Sequence, residues 1–128
     1  MPKTLPDKVA YHHFRDMFKY ASHGIVIAIK EEVNMKIHLI MTVIVVGLGL
    51  FFHLANWEWC IILLCIGGVF ALEIVNTAIE NIVDFICPEY HIMAGKIKDL
   101  ASGCVLIFCI FVFIIGLIIF LPHIISLF

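Results

Sequence analysis

Glu73, Asn76, Glu80 and Asp84 are polar residues of a kind that an apolar segment rarely carries, and their spacing brings them together. At about 100° per residue, the last three fall within about 80° of Glu73 on one helical face, with Thr77 on the same side. A carboxylate at the centre of a bilayer costs about 2.5–3.5 kcal/mol even on insertion scales, so such groups persist where they face a protein interior, a metal or a wet cleft. Glu73 and Glu80, with an amide between them, suit ligation of a divalent cation together with a general base. The plainer reading is a set of interhelical hydrogen bonds, or acids that simply reach the membrane interface. It weighs most for Asp84, which the fold alone could require.

Two further groups flank that face. Lys30-Glu31-Glu32-Val33-Asn34-Met35-Lys36-Ile37-His38 precedes an apolar run, and Glu32 could add a second carboxylate to a metal held by Glu80. Read by itself, this stretch is a solvated charge run at a membrane entry with Lys36 snorkelling. Glu89-Tyr90-His91 and Gly95-Lys96-Ile97-Lys98-Asp99 precede another apolar run. Lysines there could bind phosphate, and a basic membrane anchor is the plainer role for Lys96. No Walker sequence and no GxGxxG is present, and Gly67-Gly68 lies inside an apolar run, so ordinary nucleotide motifs are missing.

The elements that must position these residues are helices in a bilayer. The chain has 128 residues, room for a single domain, of which 63% are hydrophobic and 14% charged. Its mean hydropathy is +1.12. So short a chain cannot hide that much apolar surface in a soluble core. Three stretches are long enough to cross: about 37–55, about 57–86, and about 99–121, whose apolar part runs from Ala101 and is expected to stop at Pro122. None alternates in polarity, which excludes β-barrel strands. The expected fold is therefore all-α, three transmembrane helices within one membrane domain spanning 1–128.

Residues 8–35 differ. Phe14, Met17, Phe18, Ala21, Ile25, Ala28 and Ile29 recur at helical spacing among Arg15, Asp16, Lys19, Ser22 and His23. That predicts an amphipathic helix on the membrane surface, with the Lys30–Lys36 stretch turning toward the bilayer. Six of the eight Lys and Arg residues precede the first span, Lys96 and Lys98 precede the third, and neither the loop at Asn56 nor the tail carries any. The positive-inside rule then places the N-terminus and the acidic face of the middle span on the cytoplasmic side of the membrane. Phe51, Trp57 and Trp59 fit an aromatic belt on the other side. No signal peptide is expected, because no apolar run follows a basic tip in residues 1–23. The net charge of −2 excludes a basic stripe for nucleic acid. The five cysteines have no metal-type spacing and read as small packing residues.

The run Glu73-Ile-Val-Asn76-Thr-Ala-Ile-Glu80-Asn-Ile-Val-Asp84, followed by Glu89-Tyr90-His91 and Lys98-Asp99, resembles the prokaryotic diacylglycerol kinase family, which includes undecaprenol kinases. The resemblance extends from Phe18 to about Ile124. It implies a homotrimer of three-span subunits with an N-terminal surface helix in the bacterial cytoplasmic membrane. It also implies transfer of phosphate from ATP to a lipid hydroxyl with magnesium. By resemblance Glu73 is the general base, Glu32 and Glu80 hold the metal, and Tyr20, Asn76, Glu89, Tyr90, His91, Lys98 and Asp99 contact the nucleotide. Ser102 and Glu73 border the lipid. Lys36 stands where many relatives have Arg, and His13 near where one branch has a nucleotide-contacting Arg, with Arg15 close by. Trp57-Glu-Trp59, Ile66-Gly-Gly-Val69, Ala71-Leu-Glu73 and Lys98-Asp99-Leu-Ala-Ser-Gly103 resemble the Gram-positive type, associated with undecaprenol. Diacylglycerol stays open as the substrate, since both lipids offer a primary hydroxyl at the interface. From the residues alone, a small ion or metal transporter and a structural membrane protein stay open too. A transporter, however, would need acids across the whole membrane depth, whereas here they crowd one half.

Overall fold

The computed structural model describes residues 14–128. They form four α-helices: α1 (Phe14–Glu31), α2 (Val33–Phe51), α3 (Asn56–Ile86) and α4 (Ile92–Ile125). Three of them, α2, α3 and α4, are long and apolar enough to cross a membrane. Residues 8–13 of the expected first helix lie outside the described residues. Its far end differs from expectation: the helix stops at Glu31, and Glu32 takes an extended conformation (φ −103°, ψ 123°) before α2 begins. Neither Gly nor Pro marks that break, so local propensity does not announce it.

Packing centres on α3, which touches α1, α2 and α4 and packs most extensively on α4. Of the most apolar window of each spanning helix, 33% is buried in α3 but only 11% in α2 and in α4. α3 is thus the spine, and the other two offer most of their surface outward. Close approach to α3 needs glycine twice. A Cβ on Gly49 would come within 2.7 Å of Trp59, and one on Gly68 within 2.7 Å of Phe108. The neighbouring Gly67 meets nothing.

The turns follow from local chemistry. α2 ends in a Schellman motif: His53 N–H donates to Leu50 O and Leu54 N–H to Gly49 O, with His53 left-handed at φ 53°. Leu54 is buried there and joins Ile62, Ile119 and Phe120 in the apolar core at this end of the bundle. Glu58 accepts from Ala55 N–H at 3.0 Å, satisfying a donor at the start of α3. α3 stops at Ile86 because Pro88 drives Cys87 out of helical geometry (φ −136°, ψ 78°). His91 caps α4, its Nδ1 accepting from Met93 N–H at 3.0 Å.

α4 departs from expectation at both ends. It starts at Ile92, ahead of the apolar run, and continues through Pro122 to Ile125. Pro122 removes the N–H that would donate to Ile118 O and its ring crowds that carbonyl, and the helix nonetheless runs on for about one more turn. Ser126 Oγ then donates to His123 O at 2.7 Å and closes the last turn.

Candidate active site

Glu73 is 2% exposed and Asn76 5%. Both sit on the face of α3 that α2 and α4 cover, which is where the helical spacing put them. Both Glu73 oxygens face α2. Asn34 Nδ2 donates to Oε1 at 3.2 Å, and His38 Nε2 stands 3.6 Å from Oε2. Asn34 and His38 are four residues apart and so share a side of α2. No role fell to either in the sequence reading, although an amide and an imidazole one turn apart at the entry of an apolar run were the visible signal.

These residues line a pocket of about 260 Å³ with Ile37, Ser102, Val105, Leu106 and Cys109. Ser102 enters from α4, so Glu73, Asn76 and Ser102 are brought together by three elements. A second, nearly apolar groove of about 490 Å³ runs between α2 and α4 over α3. The two cavities share Ile37, His38 and Cys109 as walls. A chamber holding a carboxylate thus shares a wall with an apolar slot.

About two turns further along α3 lies Glu80, half-buried. Asn76 Nδ2 donates to Glu80 Oε1 at 3.3 Å and orients that carboxylate. Asn76 Oδ1 is buried with no hydrogen-bond partner, as is Thr77 Oγ1. An orphaned acceptor beside an oriented carboxylate suits a hard, oxygen-seeking cation or a donor from a ligand. Glu32 is half-buried at the α1–α2 break and makes no capping bond with its side chain. Among the described residues, no group of three or more His, Cys, Asp or Glu side chains could hold a metal alone. Magnesium commonly takes one or two protein carboxylates and completes its shell with phosphates and water, so this donor set fits it.

The other residues singled out lie away from the pocket. Lys98 Nζ binds Asp84 Oδ1 at 2.8 Å, tying α4 to the end of α3. Asp84 therefore has a partner, and Lys98 reaches back over the acidic face. Glu89, Tyr90, His91 and Asp99 are exposed at or near the α3–α4 connection, and Tyr20 is exposed on α1. Arg15 is exposed one turn before Tyr20, and His13 lies outside the described residues. At the opposite end of the bundle, Glu58 Oε2 meets His123 Nε2 at 3.1 Å, a pair that sequence reasoning missed.

Comparison with known proteins decides among the chemistries this arrangement allows. The family model for prokaryotic diacylglycerol kinase matches residues 19–120. The chain belongs to that family of lipid kinases. It is 41% identical over 111 residues to an undecaprenol kinase of Bacillus subtilis, covering 87% of this chain and 90% of that relative. It is 34% identical over 111 residues to a diacylglycerol kinase of Synechocystis, covering 86% of this chain and 63% of the relative. A diacylglycerol kinase of Haemophilus influenzae is 31% identical over 95 residues, covering 74% and 80%. A membrane lipid kinase explains at once why a buried carboxylate lines a pocket between membrane-length helices and why no soluble nucleotide motif is present.

Proposed function

We propose that the chain is an ATP- and magnesium-dependent lipid kinase that phosphorylates undecaprenol to undecaprenyl phosphate, with its active site at the cytoplasmic face. The observation that carries this reading is the shared wall of the two cavities: Glu73 lies in a chamber that adjoins an apolar slot. A lipid whose hydroxyl sits at Glu73 finds an apolar bed for its tail in the slot. Along α2 the slot extends from Ile37 to Leu48, roughly 17 Å at the helical rise, more than half of a hydrocarbon core about 30 Å thick. The similarity to an undecaprenol kinase over most of both chains favours the polyprenol; diacylglycerol is the second reading, favoured by the other relatives.

In this reading Glu73 accepts the proton of the lipid hydroxyl. The freed oxygen attacks the γ-phosphorus of ATP, the bond between that phosphorus and the β–γ bridging oxygen breaks, and ADP leaves. Phosphoryl transfer depends chiefly on positioning and charge neutralisation. Glu80, aimed by Asn76, and Glu32 would hold magnesium, which when bound neutralises phosphate charge. Lys98 adds positive charge at the same end, and Asp99, Tyr20, Glu89, Tyr90 and His91 would contact the nucleotide. Ser102 borders the lipid headgroup. α1, with its apolar residues on one face, lies on the inner surface, and the chain works as a homotrimer, the outward apolar faces of α2 and α4 meeting lipid or other copies.

Purified protein in lipid nanodiscs should transfer radiolabelled γ-phosphate from ATP to undecaprenol. Glu73→Gln should lower that rate by at least ~100-fold while keeping the helical circular dichroism. Full activity in that variant would remove Glu73 as the base. Turnover of diacylglycerol in preference to undecaprenol would give the second reading.

A further inference from the structure

Glu73 is nearly excluded from water, so a proton it accepts needs a way out. Two side chains approach its carboxylate, and they are chemically unequal. Asn34 donates to Oε1 at 3.2 Å and cannot change its protonation in the working range. His38 faces Oε2 at 3.6 Å with a side chain that is 19% exposed against 3% for Glu73. Two further contacts fix His38, one at the ring and one at the backbone. Phe70, one turn before Glu73 on α3, meets it edge-on with centroids 6.3 Å apart and planes at 80°. Thr42 Oγ1 donates to the His38 carbonyl at 2.7 Å, bracing the backbone beneath it. His38 also belongs to both cavities, the chamber and the slot.

We propose that His38 is a positioning residue that holds Glu73 and carries its proton out of the pocket after each transfer. The inference rests on Glu73 being the base. Glu73 takes the hydroxyl proton as the oxygen–phosphorus bond forms. The neutral imidazole then accepts that proton at Nε2, restoring the carboxylate, and the imidazolium gives it up to water admitted to the pocket as the products leave. The 3.6 Å gap is longer than a hydrogen bond, as catalytic contacts often are before the substrate closes the site. Asn34 keeps Oε1 fixed meanwhile, so the carboxylate presents the same oxygen to His38 in each cycle. The titratable groups that line the two cavities with His38 are Glu73 and Cys65 from α3 and Cys109 from α4. α1 contributes nothing to the pocket lining, and Lys36, about 200° away on α2, points elsewhere.

The test compares wild type, His38→Gln and His38→Ala in nanodiscs with ATP varied through saturation and magnesium in excess, following kcat, KM and the pH profile. His38→Gln should lower kcat by about tenfold to a hundredfold with KM for ATP within about twofold. Without the imidazole, the acid limb of kcat should move to lower pH. Added imidazole should restore part of the His38→Ala rate. A loss of kcat with an unmoved acid limb and no imidazole rescue would reduce His38 to packing and overturn the proposal. So would an unchanged kcat. Wild-type protein that phosphorylates no lipid alcohol would instead overturn the kinase reading on which the proposal stands.

Discussion

At the scale of residues, the acidic face of α3 divides by partner. Glu73 is buried and held by Asn34 and His38 from α2. Glu80 is half-buried and oriented by its own helix through Asn76. Asp84 is exposed and paired with Lys98. Burial thus falls steadily from the deepest acid to the shallowest, which suits a base in contact with lipid, then a metal ligand, then a charge at the water boundary. On the proposed metal role, Glu80→Gln removes one anionic oxygen ligand and leaves the Asn76 bond available. The variant should need severalfold more magnesium for half-maximal activity, with KM for the lipid little changed. A magnesium titration after chelation measures both. Chelation of the wild type should abolish transfer, and added magnesium should restore it.

At the scale of elements, α3 does the positioning, and Gly68 on it and Gly49 on α2 set how closely its neighbours approach. Gly68 faces Phe108 on α4, and a Cβ there must push the ring aside. Gly68→Ala should destabilise the α3–α4 contact by about 1–3 kcal/mol. Gly67→Ala adds a Cβ to open space and gains helix propensity, so it should be neutral or slightly stabilising. Thermal unfolding of the two variants in one detergent separates the effects. The α2–α3 turn is likewise built rather than loose, a Schellman motif with Leu54 driven into the core. At its far side Glu58 serves two partners, Ala55 N–H and His123, and so ties the start of α3 to the end of α4. That tie needs α4 to run on past Pro122, which is why the helix does not end where the proline first suggested.

At the scale of the whole molecule, α2 and α4 lean on α3 and leave a slot between them, which on the proposed reading sets which lipid tails fit. Gly116 lines it, and a Cβ at Gly116 meets nothing within 4 Å. Gly116→Leu should therefore fold normally and fill the slot near its far end. Turnover of long-tailed alcohols should fall severalfold relative to short-tailed ones, whose tails stop short of that position. Kinetics on a series of prenols of increasing length check this. An equal loss for all lengths together with a changed oligomer size would assign the slot to contact between copies instead.

Much of this was legible without coordinates. Apolar runs of membrane length and a helical period of polar residues are local properties of a chain, so the three spanning helices and the shared face of Glu73, Asn76 and Glu80 follow from spacing alone. The motif of that face also pointed to the family. Tertiary structure alone decided what the face meets. Glu73 finds Asn34 and His38, Asp84 finds Lys98, and Glu58 finds His123, all through helices that touch only after packing. The break at Glu32 likewise carries no Gly or Pro to announce it. Periodicity says which residues share a side of one helix, but the partner across the gap depends on how two helices are rotated and offset. That is settled by close packing at Gly49 and Gly68, a property of the pair that neither helix contains.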